Sequence, residues 1–209
     1  VGSEMCIRDS FTSGSTEAAS LALNAHKIRC SEIEHDAVKS LCETTLTTFP
    51  SGQVLINDPS TSAVQLANSE TGIIQDLPSD IFLSDVTQAI GKIPFSFEWL
   101  GAKRAIVSAH KFGGPKGVGA LLLEDDIPFS PLIVGGGQEM GRRSGTENII
   151  GVVGMAAAAA AALVDLEKGV WSRVEELRNI LENSIEESFN ETIFVCLLYT
   201  SPSPRDFAI

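Results

Sequence analysis

The feature that most constrains the fold is an alternation of short apolar runs with helical patterns, in which polar residues follow the apolar runs. The apolar runs, which predict strands, lie at 27–33, 53–58, 62–67, 81–84, 104–109 and 118–123. The helical patterns lie at 18–23, 37–48, 147–167 and 171–189. This alternation favours a three-layer α/β fold, in which a mainly parallel sheet carries helices on both faces. Ligands bind at the carboxyl ends of the strands in such sheets.

One predicted strand end carries a lysine within the segment SAHKFGGPKG, residues 108–117. The apolar run stops there, and a loop rich in glycine and proline follows. Lys111 in this position can be a phosphate ligand, a surface charge or an amine held for Schiff-base chemistry. Ser108 and His110 beside it supply polar groups that could hold a cofactor.

Two other strand ends carry His35 and Asp85, and Gln88 follows Asp85 closely. An acid at the end of an apolar strand is unfavourable without a cationic partner, so a ligand partner is favoured for Asp85. A histidine at a strand-to-helix junction is more often structural than functional. Ser15 and Thr16 lead into the first helix, where they either cap it or form an anion site with its N–H groups.

Taken together, these groups meet the chemical needs of pyridoxal phosphate. Its aldehyde needs an amine, and its pyridine nitrogen needs a carboxylate. Its ring needs a flat stacking partner, and its phosphate needs hydroxyls and helix N–H groups. The pattern therefore predicts a pyridoxal phosphate site at the carboxyl edge of the sheet.

The two ends of the chain are related at the level of DNA. One short DNA sequence encodes Val1–Asp9, and its reverse complement encodes Cys196–Pro204. That DNA resembles a transposon-end adapter used in preparing sequencing libraries. We therefore expect residues 1–10 and 196–209 to be adapter-derived, to pack poorly and to carry no function. Residues 11–195 would then be an internal piece of a longer natural protein.

Composition argues against two classes of partner. The net charge of −12 predicts no nucleic-acid partner, because neutralising phosphates requires clustered lysine and arginine. The alanine-rich run 155–163 is too short to span a bilayer, so we expect no membrane partner.

Between the two ends, Cys30 and Cys42 are too few for a disulfide framework and read as buried small hydrophobic residues. They indicate a reducing, cytoplasmic compartment.

Six segments resemble, in family order, the cysteine desulfurases of the class V aminotransferase group, which are fold-type-I pyridoxal phosphate enzymes. They are FTSGSTEA (11–18), EHDAV (34–38), ANSETGIIQD (67–76), SDVTQAIGKIP (84–94), SAHKFGGPKGVGAL (108–121) and GGGQEMGRRSGTENI (135–149). The long RRSGT form is similar to the NifS/IscS-like branch. The resemblance implies a cofactor-binding large domain over 11–162 and the helical start of a smaller C-terminal domain over 163–195.

The resemblance also implies a role for each site residue. Lys111 would form the Schiff base with pyridoxal phosphate, and Asp85 would pair with the pyridine nitrogen. His35 would stack on the ring and take part in proton transfer, and Gln88 would bind the phenolic oxygen. The phosphate ligands would be Ser15, Thr16, Ser108 and His110. Thr146 would reach the phosphate of the neighbouring subunit, because family members are homodimers with shared sites.

The implied activity converts L-cysteine to L-alanine and passes persulfide sulfur to an iron–sulfur scaffold or to a tRNA-thiolation protein. Two departures from the family pattern stand out. Ser69 occupies the place of an asparagine that contacts the cofactor, while Asn68 matches a different asparagine. The family's persulfide-forming cysteine and its substrate-binding arginine lie beyond Val195, so we expect this chain to be inactive by itself. A related lyase, such as a selenocysteine lyase, and a non-catalytic protein of the same fold are the open alternatives.

Overall fold

The structure, a computed structural model, describes residues 7–124, 127–128 and 130–188. Its strands are β1 (Ile7–Thr12), β2 (Arg29–Ser31), β3 (Glu43–Leu46), β4 (Ser84–Asp85), β5 (Arg104–Ser108) and β6 (Gly119–Glu124). Its α-helices are α1 (Ser15–Leu23), α2 (Asp36–Lys39), α3 (Phe97–Leu100), α4 (Ile149–Glu167) and α5 (Val170–Ser188). An α-helix separates β1 from β2, β2 from β3 and β4 from β5, whereas β3 and β4, and likewise β5 and β6, follow one another without an α-helix between them; the two long helices come after β6.

The strands form a mixed sheet that is mainly parallel. Four of them lie in the order β1-β6-β5-β4, with β6 antiparallel to both neighbours and β4 parallel to β5. Parallel bridges from Ala63 to Leu83 and from Ser62 to Arg29 continue the sheet from β4 towards β2, which pairs in parallel with β3. The predicted α/β class with a mainly parallel sheet is confirmed.

Each face of the sheet contributes to its own hydrophobic cluster. On β5, Ile106 packs with the buried side of α1, whereas Ala105 and Val107 pack on the other face with α3 and with Met155 of α4. On β6, Leu121 joins the α1 face. Because successive side chains of a strand point to opposite faces, a strand that is covered on both sides is apolar throughout. This explains the uninterrupted apolar runs in the sequence.

Residues 7–10 form most of β1, so the expectation that this end packs poorly is wrong for them. Their main chain pairs with β6, Ser10 is fully buried, and Arg142 Nε donates a hydrogen bond to the Ser10 hydroxyl over 2.6 Å. Strand pairing uses main-chain groups, so many sequences can occupy an edge strand. Residues 1–6 and 196–209, also expected to pack poorly, lie outside the described residues.

The predicted helix over 37–48 is wrong. The helix ends at Lys39, and residues 43–46 form β3, in which Glu43 is the register partner of Arg29. The threonines at 44, 45, 47 and 48 are β-branched, which favours strand over helix. The strands predicted at 53–58 and 62–67 are reduced to isolated bridges, such as the one between Thr48 and Val54.

Helix α4 contacts the rest of the chain through small residues. A β-carbon on Gly154 would lie 2.9 Å from Pro115 Cγ, and one on Gly91 would lie 2.8 Å from the Ala162 β-carbon. Most of α4 is nevertheless exposed, and its 19 residues with a mean hydropathy of 2.2 are long and apolar enough to cross a membrane by length and composition alone. The alanine run 155–163, too short to span a bilayer by itself, is thus the middle of a longer apolar helix.

The helical pattern over 171–189 predicts that α5 buries one side, formed by Val174, Leu177, Ile180, Leu181, Ser184 and Ile185. That prediction is wrong for the described chain: α5 has no buried residue, and Leu181 is 60% exposed. Trp171 is the anchor of the helix, since its Nε1 donates a hydrogen bond to the carbonyl oxygen of Gly91 over 2.8 Å. The division into domains at residue 162 stays a prediction, and it falls inside α4.

Candidate active site

A cavity of about 340 Å³ lies where the strands end. Its lining residues are Ser15, Thr16, His35, Gln65, Ala67, Ser69, Glu70, Asp85, Thr87, Gln88, His110 and Lys111. Eight of the ten site residues predicted from the sequence are among them. The other two are Ser108, which lies beside the cavity, and Thr146, which lines a different one.

Lys111 and Asp85 form the electrostatic centre of this cavity. Lys111 ends a short turn after β5, where burial lowers the pKa of its amine although the charge of Asp85 opposes the shift. Burial raises the pKa of Asp85, and hydrogen bonds from Thr87 and the charges of His35 and Lys111 oppose that rise. The amide of Thr87 donates to Asp85 Oδ1 over 2.9 Å and so holds the carboxyl group in place.

His35 serves as the N-cap of α2 while it lines the cavity. Its Nδ1 accepts a hydrogen bond from the amide of Ala37 over 3.1 Å. Since Nδ1 is an acceptor here, the ring proton of the neutral imidazole lies on Nε2. The cap therefore sets both the tautomer and the orientation of the ring.

The start of α1 provides donors for an anion. Its N-cap is Gly14, which has no side chain to satisfy the first N–H groups of the helix, and Ser15 and Thr16 both line the cavity. The hydroxyl of Ser108 lies 3.6 Å from the position that a β-carbon on Gly14 would take, and it is 2.8 Å from Nδ1 of His110. Hydroxyl, imidazole and helix N–H groups thus converge on one end of the cavity.

Thr146 lines a separate cavity of about 210 Å³, together with Ser13 and Arg143. The Arg143 guanidinium donates to Glu17 Oε1 over 2.8 Å, which ties the loop of Thr146 to the first turn of α1. Burial alone would raise the pKa of Glu17, but hydrogen bonds from Arg143 and Ser13 bring it below its usual value. Within one chain, then, Thr146 is near α1 but outside the cavity of Lys111.

A buried carboxyl group, that of Glu34, bonds to the lining residue Gln65 and was not predicted from the sequence as part of the site. Glu34 is 4% exposed, and its Oε1 accepts a hydrogen bond from the amide of Gln65 over 3.0 Å. Among the described residues, its Oε2 and the hydroxyl of Ser31 have no hydrogen-bond partner within 3.5 Å. Burial, and then the charge of Asp85, raise the pKa of Glu34 well above its usual value despite the bond from Gln65. The sequence does contain one indication of this group, because Glu34 directly precedes the predicted site residue His35.

Asn68 and Ser69 have different surroundings, in agreement with the expectation that only Ser69 stands at a cofactor-contacting position. Asn68 Nδ2 donates to the carbonyl oxygen of Ile33 over 2.9 Å, and its Oδ1 accepts from the amides of Glu70 and Thr71. Asn68 therefore holds the loop together, whereas Ser69 lines the cavity. Sequence reasoning also missed Gln65 and Glu70 as lining residues. For Gln65 the sequence contains no signal, because it lies within an apolar run.

Cys30 and Cys42 lie side by side. Cys30 is buried in β2 as predicted, whereas Cys42 is half-buried in the turn before β3 rather than in a helix. A hydrogen bond with Cys30, together with burial, raises the pKa of Cys42. A thiol that resists ionisation is a poor nucleophile, so the environment of Cys42 does not suit sulfur transfer.

The comparison with known proteins agrees with this architecture. The sequence profile described as Aminotransferase class-V matches residues 9–200. The chain belongs to this family. A cysteine desulfurase of Cereibacter sphaeroides is 35% identical over 85% of this chain and 58% of its own length, and the cysteine desulfurase IscS of Dictyoglomus turgidum is 32% identical over 87% and 55%. A solved NifS-like protein superimposes with a TM-score of 0.82 at 31% identity, covering 93% of this chain and 63% of its own.

This class V aminotransferase chain spans about half the length of the curated relatives it matches. The alignment with the Cereibacter sphaeroides protein runs over 224 positions, more than the 209 residues of this chain, so that relative carries residues without a counterpart here.

Class V aminotransferases and cysteine desulfurases depend on pyridoxal phosphate. The cavity fits that group: Lys111 supplies an amine, Asp85 a held carboxyl group, and the uncapped start of α1 supplies donors for a phosphate. Its volume is also in the range of small-molecule sites. In the part of the chain that the structure describes, no three metal-binding side chains cluster together.

Proposed function

We propose that this chain carries the cofactor-binding part of a pyridoxal-phosphate-dependent cysteine desulfurase. Such an enzyme converts L-cysteine to L-alanine and leaves the sulfur as a persulfide. The observation that carries the proposal is the single cavity lined by Lys111, Asp85 and His35, at the uncapped N-terminus of α1. The cofactor would supply the electron sink for breaking bonds at the α-carbon of the amino acid. The names of the relatives supply the substrate class.

The proposed roles follow from the chemistry of each side chain. Lys111, whose pKa is lowered by burial, would hold the cofactor covalently. Asp85 would accept a hydrogen bond from the protonated pyridine nitrogen and keep it protonated; a cationic partner there would offset the cost of its burial. His35 would present its ring to the cofactor, with Nε2 available for proton transfer. Gln88 would donate a hydrogen bond to the phenolic oxygen of the cofactor, and Ser69 would occupy a cofactor-contacting position with a shorter side chain than asparagine. Ser15, Thr16, Ser108 and His110 would bind its phosphate.

The nucleophile for sulfur is proposed to come from outside the described residues. Cys30 is buried and Cys42 is held as a thiol, so neither suits attack on the substrate sulfur. We also propose that the arginine for the substrate carboxylate lies elsewhere. Poor orientation of a substrate costs several orders of magnitude in rate. We therefore expect the purified chain to release no alanine from L-cysteine above background, whereas a full-length relative assayed beside it does.

We further propose that the functional form is a homodimer in which Thr146 of one copy reaches the phosphate bound by the other. Two features support it. Thr146 lies outside the cavity of its own chain, and the nearby start of α4 exposes Ile149, Ile150 and Val153, with Ile150 88% exposed. An exposed apolar patch of this kind is typical of an interface. The sulfur acceptor would be an iron–sulfur scaffold or another sulfur-carrying protein, and the compartment the cytoplasm.

The decisive experiment maps the lysine that holds the cofactor. The chain is incubated with pyridoxal phosphate, reduced with borohydride, digested and analysed by mass spectrometry. We expect the pyridoxyl group on Lys111, and we expect Lys111→Ala to abolish it. Lys116→Ala is the matched control, since Lys116 is an exposed lysine of the same loop. Labelling of Lys116 in place of Lys111, or no labelling at all, would show that the cavity is not the cofactor site.

A further inference from the structure

Lys92 is a buried amine next to the candidate active site, and none of the roles proposed above includes it. Its side chain lies in the turn that follows β4, and the residue is 9% exposed. Burial, and after it repulsion by the charge of Lys111, lower the pKa of Lys92 to about 8. A buried amine is costly without a specific partner. The group that binds its amine in the described chain therefore indicates what Lys92 does.

That partner is Gln88, which lies four positions earlier and lines the cavity. Lys92 Nζ donates to Gln88 Oε1 over 2.9 Å and to the Gln88 carbonyl oxygen over 3.3 Å. The ammonium group has three donors and no acceptor, so it selects the oxygen of the Gln88 amide and disfavours its nitrogen. The two ends of a glutamine amide are otherwise almost equal in shape, so a fixed neighbour decides which end points where.

We propose that Lys92 is a positioning residue that orients the Gln88 amide, with its oxygen engaged by Nζ and its nitrogen turned towards the cavity as a donor. The proposal rests on the proposed function, in which Gln88 contacts the phenolic oxygen of pyridoxal phosphate. That oxygen is an acceptor, so an amide nitrogen beside it is favourable and an amide oxygen is repelled. Lys92 therefore favours one orientation of the amide, and its removal would leave part of the binding energy to be spent on selecting that orientation.

A purely structural role for Lys92 predicts something different. The bond from Nζ to the Gln88 carbonyl oxygen closes the turn, so its loss would lower the melting temperature without changing how the cofactor is bound. The variant Gln88→Glu distinguishes the positioning role of Lys92 from the purely structural role. This variant keeps an acceptor for Lys92 but has no side-chain N–H to donate into the cavity.

The experiment measures the dissociation constant of pyridoxal phosphate by fluorescence titration, the pH titration of the absorbance of the bound cofactor, and the melting temperature of the cofactor-free chain. Lys92→Met and Gln88→Glu are each expected to weaken cofactor binding about tenfold and to shift the absorbance titration in the same direction. The double variant should bind no more weakly than Gln88→Glu alone, because Lys92 acts through Gln88. Lys92→Arg, which retains a donor, should bind close to wild type.

Two kinds of failure are distinguishable. If the wild-type chain binds no pyridoxal phosphate, the proposed function fails, and the role of Lys92 fails with it. If the wild-type chain binds the cofactor but Lys92→Met leaves both the dissociation constant and the absorbance titration unchanged, only the role of Lys92 is overturned. Losses that add in the double variant would overturn it as well. Should Lys92→Met not fold, Lys92→Arg with wild-type melting behaviour but Gln88→Glu-like binding would also refute the proposal.

Discussion

Replacing Gly119 by alanine tests the close approach that shapes the anion end of the cavity. Gly119 opens β6 and lies between Thr12 of β1 and Ser108 of β5. A β-carbon there would be 2.5 Å from the carbonyl oxygen of Val107 and 2.7 Å from Cα of Gly14. Ordinary contacts begin at 3.4 Å. Both neighbours are main-chain atoms, which cannot turn away as a flexible side chain would. The added methyl group must therefore displace β5, α1 or both.

Overpacking of this kind costs about 1–3 kcal/mol, and we expect the upper end because the obstacles are backbone. A loss of about 3 kcal/mol corresponds to a fall in melting temperature of roughly 6–12 °C for a chain of this size. Displacement of Gly14 also moves the first N–H groups of α1, so binding of pyridoxal phosphate should weaken in the same variant. Urea unfolding, thermal unfolding and a cofactor titration measure these three effects.

Gly117→Ala is the matched control. Its β-carbon would meet nothing within 4 Å, and its cost comes only from a φ of +79°, which an alanine adopts at a cost of about 1–2 kcal/mol. It should leave cofactor binding unchanged. If Gly119→Ala were as stable as wild type within about 0.5 kcal/mol, or no worse than Gly117→Ala, the argument from the close approach would be refuted.

Two further predictions concern the buried acid and the exposed helix. Because burial raises the pKa of Glu34 above the unfolded value of about 4.3, wild-type stability should fall as the pH rises from that value towards the folded pKa, and Glu34→Gln should remove this fall. Melting curves should thus coincide near pH 4 and favour Glu34→Gln at pH 8; a variant less stable at pH 8 would contradict the raised pKa of Glu34. For the dimer, sedimentation of the chain with bound cofactor should give two copies, and Ile150→Asp should give one. Flotation of the chain with lipid vesicles, abolished by Ile150→Asp, would instead identify a membrane surface.

The positions of Lys111, Asp85 and His35 were predictable because each follows an apolar run. Parallel strands bring their carboxyl ends to one edge of the sheet, so residues that are distant in sequence meet there without any further assumption. The cavity lined by these three residues is consistent with that reasoning. Ser15 and Thr16 were predictable for a related reason, since a helix that starts at the same edge presents its N–H groups there.

Local sequence patterns were less reliable where tertiary contacts decide the secondary structure of a segment or the burial of a helix face. The helix predicted over 37–48 competes with pairing of β3 to β2, and the β-branched threonines favour the strand. The apolar side of α5 was identified correctly as apolar, but its burial depends on what packs against it. Leu177 and Leu181 remain exposed in the described chain. A hydrophobic period identifies a face of a helix and does not identify its partner.

The α/β class, the order of the motifs and the chemical groups at the strand ends could be predicted from the chain, because they depend on local periodicity and on residue type. The polar and small residues that support the site could be identified only once the elements were packed together. The charge of Asp85 acts on the buried Glu34, Lys92 bonds to the Gln88 amide, and Gly119 lies against Gly14. Each of these depends on burial and on packing between residues or elements. The order of strands in the sheet and the closeness of its layers set such contacts, and no single segment encodes them.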